Sequence, residues 1–227
     1  MIIVNYLANA LPINNKTTGE ISGQYPNLFV PAGITFSIWG VIYLMLIVFS
    51  IIQFREENKE VISSIGRIFI ISSVLNCLWI FAWHYEKLPL SIIVMILLLI
   101  SLIMINVKLA QFPLSLIKSS FGIYLGWICI ATIANITAWL VSINWDGFGI
   151  LPEIWTITLI VAGLIITSLA IYKFNNPFIG LSIIWAFAGI AIKQYGNMQS
   201  IFIVALLAGF LALVFTAAMF YRKIISV

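Results

Sequence analysis

Seven apolar runs, separated by short polar breaks, limit most strongly what this chain can fold into. About 20 consecutive apolar residues are what an α-helix needs to cross the hydrocarbon core of a bilayer. Composition agrees, because 63% of the residues are hydrophobic and 8% are charged, whereas soluble domains carry about 25% charged residues. We therefore predict an all-α fold, a polytopic transmembrane helical bundle. The predicted spans are 32–54, 68–85, 88–110, 121–145, 154–173, 178–192 and 201–221.

Prolines punctuate these runs at or just outside the predicted helix starts, where a missing backbone N–H costs least. They are Pro31, Pro89, Pro113, Pro152 and Pro177. Residues 1–11 are also apolar but too short to cross a bilayer, so we expect either a partial first helix or a short interfacial segment. A cleaved signal peptide is disfavoured, because no basic residue precedes the apolar stretch. Counting the partial helix, the chain would have eight membrane segments.

Basic residues predict the orientation of the chain in its membrane. If residues 12–30 lie outside, eight Lys and Arg residues fall inside and three, Lys16, Lys87 and Lys193, fall outside. This excess predicts a cytoplasmic carboxyl terminus, in a bacterial or archaeal cell membrane. The basic residues are scattered singly rather than gathered on one face, so nucleic-acid binding is not expected.

Ionisable groups are confined to loops and span ends, and this limits the chemistry available inside the membrane. Every Asp and Glu lies outside the middle of a predicted span, whereas ion-coupled carriers and voltage sensors place such groups at membrane depth. The single histidine, His84, and the cysteines Cys77 and Cys129 lack the spacing of metal ligands. We therefore predict neither a catalytic residue nor a metal site.

Aromatic and amide side chains recur at helical spacing within three of the predicted spans. Because neither group finds a partner among acyl chains, both should face other helices or a ligand. If the three faces meet, they enclose an aromatic-walled cavity with a few hydrogen-bond donors, which suits a flat, largely apolar ligand. The predicted lining residues are Trp39, Tyr43, Asn76, Trp79, Trp127, Asn135 and Trp139.

Structural roles remain alternatives for several of these residues. Asn76 and Asn135 could instead join helices by hydrogen bonds, without any ligand. Trp83, Trp145 and Trp155 lie near span ends, where tryptophan commonly forms an interfacial belt.

Three stretches of the sequence resemble the translocator-protein family, also called TspO or tryptophan-rich sensory proteins. The first is Y-L-G-W at 124–127 followed by Asn135 and Trp139, which is similar to the family's fifth helix. The second is L-N-C-L-W at 75–79, which is similar to the family's third helix. The third is P-A-G at 31–33 leading to Trp39 and Tyr43, which is similar to the family's second helix. The resemblance covers about 1–144, and it implies a five-helix unit at 1–145, with residues 1–11 as a partial first helix. Residues 146–227 would add three further transmembrane helices.

The resemblance also implies a function. Such proteins bind tetrapyrroles, porphyrin or haem, or similar flat hydrophobic molecules, in an intramembrane pocket beneath the first loop. Here that loop would form a lid around Asn14, Asn15, Thr17, Thr18 and Tyr25. A sensory, regulatory or porphyrin-handling role would follow, with light-dependent porphyrin degradation as the one enzymatic activity to consider. No cofactor would be required, and the expected partners are membrane lipid, a hydrophobic small molecule and a second copy in a homodimer.

Two other classes of function stay open. One is a carrier for a neutral lipophilic metabolite, since eight segments enclose more space than five. The other is a membrane enzyme acting on lipids, for which His84 with Glu86 is the acid-base cluster outside the charged internal loop.

Overall fold

The computed structural model describes residues 1–10 and 13–225, and within them the chain is helical without any β-strand. Leu11, which ends the predicted partial helix, and Pro12, which begins the predicted lid loop, lie outside the described residues, as do Ser226 and Val227. The described α-helices are α1 (Ile2–Ala10), α2 (Thr18–Gly23), α3 (Ile38–Ile52), α4 (Lys59–His84), α5 (Leu88–Leu109), α6 (Leu116–Ser142), α7 (Pro152–Phe174), α8 (Phe178–Gln194) and α9 (Gln199–Ile225). The predicted all-α class is confirmed.

Six helices are long and apolar enough to cross a membrane, within the part of the chain that the structure describes. They are α3 together with the 3-10 turn Gly33–Ser37 before it, α4, α5, α6, α7 and α9. The remaining predicted span corresponds to α8, which has 17 residues and is therefore about 25 Å long. This helix is shorter than the hydrocarbon core, and α1, with nine residues, is much shorter still.

Helix starts differ most from prediction where polar residues extend a helix beyond its apolar run. Helix α4 begins at Lys59, whereas the apolar run predicts a start near 68. Glu60 and Arg67 interrupt the hydrophobic pattern but favour helix, so these turns continue the helix past the apolar part. Helix α6 likewise begins at Leu116, because the Ser115 side chain accepts the backbone N–H of Lys118 at 3.2 Å and caps the first turn.

Helix α6 is the centre of the bundle. It packs against α5 and α3 on one side and against α8 on the other, while α4 pairs with α5 and α9 pairs with α7 and α8. The approach of α8 depends on Gly126, since a Cβ atom there would overlap the backbone carbonyl of Ile179. The Ser182 hydroxyl donates to the Ile123 carbonyl at 2.6 Å across the same contact. With α8 on one face, α6 presents its opposite face to α3 and α4.

Candidate ligand-binding site

Trp39 lies at the centre of an aromatic cluster contributed by α3, α4 and α6. Its indole stacks on Tyr43 with 5.5 Å between ring centroids and on Trp79 with 5.8 Å. Tyr124 and Trp127 meet the same indole edge-on, at 6.2 and 6.1 Å. Both geometries are favourable for aromatic pairs at these separations. The structure thus brings together the aromatic residues of the three predicted faces, with Trp139 as the exception described below.

A cavity of about 40 Å³ lies against this cluster. Its lining residues are Thr18, Ser22, Pro31, Phe36, Trp39, Trp79, Trp83, Trp127, Ile130, Ala131, Ala134 and Asn135. The volume admits a few water molecules at most, so a larger ligand requires some of these side chains to move. Trp83 belongs to this wall, because it is buried and stacks on Trp79 at 6.1 Å. The interpretation of Trp83 as an interfacial belt residue is wrong; its spacing of four residues from Trp79 was the signal for the wall.

Three cavity-lining side chains carry hydrogen-bond donors that have no partner among the described residues. They are the indole N–H groups of Trp79 and Trp127 and the amide nitrogen of Asn135. All three side chains are at most 4% exposed, and an unpaired buried donor costs roughly 1–3 kcal/mol. Such groups are rare enough in folded proteins that each demands an explanation. Because all three are donors, this wall suits a ligand that presents hydrogen-bond acceptors.

Asn135 and Trp139 lie one turn apart on the same face of α6 but have different surroundings. Asn135 is buried in the cavity wall, where its side-chain oxygen accepts a hydrogen bond from the Ser91 hydroxyl at 2.8 Å. This bond uses the amide oxygen and leaves the nitrogen unpaired. Trp139, one turn further on, is half-buried and is not among the described residues that line the cavity.

Asn76 lies in a separate hydrogen-bond network rather than in the cavity wall. Its side chain is fully buried, accepts from the amide of Asn5 at 2.6 Å and donates to the Tyr124 hydroxyl at 2.8 Å. The Tyr43 hydroxyl in turn donates to Asn5. Four polar side chains on α1, α3, α4 and α6 are thereby joined at one place. This arrangement corresponds to the interhelical role that the sequence left as the alternative for Asn76.

The segment between α1 and α3 covers the cavity and is fastened to the end of α4. Thr18 and Ser22 of α2 line the cavity, and the Trp83 indole donates to the Thr18 carbonyl at 3.3 Å. The two ring nitrogens of buried His84 lie 3.1 Å from the Ile13 carbonyl and 3.1 Å from the Thr18 hydroxyl. A carbonyl only accepts, so Nδ1 carries a proton toward Ile13, while the Thr18 hydroxyl, which can both donate and accept, completes the pair at Nε2. His84 is thus a structural anchor for this segment.

Glu86 makes a second anchor just beyond α4. Lys16 pairs with its carboxylate at 2.6 Å, and the Tyr25 hydroxyl donates to the carboxylate at 3.0 Å. The Lys16 hydrogen bond, followed by that from Tyr25, lowers the pKa of Glu86 below its ordinary value. Partial burial and the Glu86 carboxylate raise the pKa of Tyr25. Within the lid, Thr17 and Glu20 cap α2 reciprocally, while Asn14 donates to the His84 carbonyl at 3.1 Å.

Helix α8 holds the other end of the same segment. The Trp185 indole donates to the Thr35 carbonyl at 2.8 Å, and the Gln194 amide donates to the Leu28 carbonyl at 2.8 Å. The backbone N–H of Ala32 donates to the Gly189 carbonyl at 3.0 Å. Sequence reasoning missed these contacts, because their partners are about 150 to 170 residues apart and share no local pattern.

No group of three or more His, Cys, Asp or Glu side chains among the described residues is arranged to hold a metal ion. In comparison with known proteins, the family model described as TSPO-like protein matches residues 1–220. The matched region continues past residue 145 through most of α9. No curated protein and no solved structure matches the chain.

Proposed function

The chain belongs to the TSPO-like protein family, and from this premise we propose that it binds a flat, hydrophobic tetrapyrrole, or a molecule of similar shape, between α3, α4 and α6. It is an integral membrane protein. The aromatic side chains around Trp39 would stack on the faces of the ligand, and α2 would close over its edge. Sensing, regulation or handling of porphyrin are the roles that such binding would serve.

The observation that carries the proposal is the set of unpaired donors on Trp79, Trp127 and Asn135. A tetrapyrrole offers acceptors in its imine nitrogens and in the oxygens of its side chains. Each donor that found an acceptor would regain a buried hydrogen bond worth about 1 kcal/mol net, in addition to relieving the cost of its isolation. The apolar remainder of the wall supplies burial without an added charge.

Metal-free porphyrin fits this wall better than haem. The described lining residues include no His, Cys, Met or Tyr, which are the side chains that ordinarily ligate haem iron. His84 lies nearby, but both of its ring nitrogens are engaged with the lid. No cofactor is needed for binding of this kind.

Titration with protoporphyrin IX tests the proposal, followed by tryptophan fluorescence and by the Soret band. The informative variant carries Trp79→Phe and Trp127→Phe, which keeps two aromatic rings but removes two of the unpaired donors. We expect its affinity to fall by about tenfold or more. Trp145→Phe, which lies outside the cavity wall, is the matched control and should leave the affinity unchanged. Absence of any saturable response in the unaltered protein would contradict the proposal.

Illumination of the complex separates passive binding from photochemistry. If the protein promotes porphyrin breakdown, the Soret absorbance of the illuminated complex decays faster than that of porphyrin in empty micelles. Equal decay rates would mean that the protein binds the pigment without degrading it.

We propose that the lid faces the outside of a bacterial or archaeal cell membrane and that the carboxyl terminus is cytoplasmic. The three lysines expected on the outside support this orientation. Lys16 pairs with Glu86 beside the lid, and Lys193 donates to the Asn27 carbonyl. Lys87 follows Glu86 directly, so the three share one end of the bundle. The surrounding lipid is then the immediate source of a hydrophobic ligand.

A further inference from the structure

A groove of about 680 Å³ lies between α1, α2 and α3, next to the small cavity. Its lining residues are Ile2, Asn5, Tyr6, Thr18, Gly19, Phe36, Ser37, Trp39, Gly40, Tyr43, Leu44 and Ile47. Tyr6 is 69% exposed and Leu44 is 62% exposed. Because Leu44 belongs to the membrane-spanning segment that contains α3, its exposed side chain faces acyl chains when the protein is in a bilayer. The groove therefore opens toward lipid.

The groove and the cavity share three lining residues, Thr18, Phe36 and Trp39. Trp39 forms the central part of this partition, since it also contacts the ring of Trp127 in the cavity wall and the ring of Tyr43 in the groove. The two spaces therefore adjoin at these three residues. The aromatic side chains of Phe36 and Trp39 are the largest parts of this boundary.

Glycines on opposite walls keep the groove open. Gly19 of α2 and Gly40 of α3 both line it, and a Cβ atom built at either position meets no atom of the described residues within 4 Å. Glycine in membrane helices usually lets two helices pack closely, as Gly126 does between α6 and α8. Gly19 and Gly40 have no such packing role, and the space beside them is free for a ligand.

The cavity and the groove differ greatly in volume, and only the groove is large enough to hold a small-molecule ligand as it stands. A cavity of about 40 Å³ is far below the 300–1,000 Å³ of typical small-molecule sites, whereas the groove, at about 680 Å³, lies within that range. A ligand that reaches the unpaired donors must displace part of the partition. The lid route requires breaking the His84 and Glu86 anchors, whereas the groove route displaces side chains at the boundary formed by Thr18, Phe36 and Trp39.

We propose that the groove is a bilayer-facing vestibule through which a planar hydrophobic ligand enters the bundle from lipid, with Trp39 as the gate to the cavity. This inference rests on the proposed function. The ligand first lies against Leu44 and Ile47 with one face still in lipid, and then passes Trp39 as its indole swings away from Trp79. The aromatic surface of Trp39 remains available to the ligand on both sides of the gate.

Gly40→Leu tests the route, because it fills the groove with a side chain that meets open space and leaves the described cavity wall intact. Protoporphyrin IX is supplied in phosphatidylcholine vesicles, protein is reconstituted in nanodiscs of the same lipid, and association is followed by stopped-flow quenching of tryptophan. We expect association and dissociation to slow together by about tenfold or more, with the dissociation constant changed by less than about twofold, because a blocked route alters rates and not the end states.

Gly66→Leu on α4 is the matched control, since its Cβ would make only an ordinary 3.9 Å contact with Ile62; its rates should equal those of the unaltered protein. Gly19→Leu fills the groove from the opposite wall and replaces Gly40→Leu if that variant does not fold. An unchanged association rate in the groove variants would overturn the vestibule, and so would faster association in Glu86→Gln, which loosens the lid instead. Failure of the unaltered protein to bind porphyrin at all would overturn the proposed function itself, a result distinct from either of these.

Discussion

The hydrogen bond between Asn5 and Asn76 should be measurable as a coupling between α1 and α4. Asn76 is fully buried and joins Asn5 at 2.6 Å and the Tyr124 hydroxyl at 2.8 Å. A side-chain hydrogen bond between membrane helices contributes about 0.6 kcal/mol on average and about 1–2 kcal/mol at most. Removal of two such bonds by Asn76→Ala should lower the free energy of unfolding by about 1–3 kcal/mol. The Asn5–Asn76 bond alone accounts for about 1 kcal/mol of that loss.

A double-mutant cycle isolates this single bond. Asn5→Ala, Asn76→Ala and the double variant are unfolded by sodium dodecyl sulfate in mixed micelles and followed by far-ultraviolet circular dichroism. We expect the double variant to be more stable than the sum of the single losses predicts, by about 1 kcal/mol. Thr158→Ala on the exposed face of α7 serves as the control partner, and its effect should add to that of Asn76→Ala. A coupling energy within about 0.3 kcal/mol of zero would refute the assignment of Asn76 to helix joining.

Three further predictions concern the lid, the α6–α8 contact and the cavity wall. Glu86→Gln removes the negative charge that pairs with Lys16, so hydrogen exchange of the α2 amides should speed up several-fold at pH 7. In the unaltered protein the pKa of Glu86 is lowered. The α2 amides should therefore keep their full protection above about pH 4.3 and lose it as the pH falls through the lowered pKa. Gly126→Ala places a methyl group against backbone and should cost about 2 kcal/mol in the detergent unfolding assay, whereas Gly163→Ala, whose Cβ has an ordinary 3.7 Å contact, should be close to neutral. Asn135→Ala removes an unpaired donor, so protoporphyrin affinity should fall roughly tenfold in fluorescence titration while stability changes by less than about 1 kcal/mol.

The lid is anchored at both of its halves, by α4 and the turn after it and by α8. His84 and Glu86 hold the first half of the segment before α3, and α8 holds its second half through Trp185 and Gln194. Helix α8 therefore contacts the candidate site indirectly, by holding the backbone that leads to Phe36 and Trp39. Loosening either anchor should change lid motion without altering any aromatic residue of the wall.

Spacing along single helices identified four of the cavity-lining residues, Trp39, Trp79, Trp127 and Asn135, and missed the lid and the small α6 side chains that complete the wall. Trp127 and Asn135 are two α-helical steps of four apart, and the structure places both on the cavity. The same rule included Trp139, which lies beyond the cavity. Periodicity specifies a face of a helix but not how far along that face a neighbouring helix or a cavity extends, and this explains the difference.

The sequence by itself determined that the chain is an α-helical membrane protein and which faces of α3, α4 and α6 carry aromatic groups, because hydropathy and helical period are local properties. Only the tertiary structure decided which polar groups find partners. Asn76 is bonded to Asn5, 71 residues away, while Asn135 keeps an unpaired nitrogen in the cavity wall, although both began as amides on aromatic stripes. Partners at such separations depend on how the helices pack, so no local pattern distinguishes an amide that is bonded through both its oxygen and its nitrogen from one bonded through its oxygen alone.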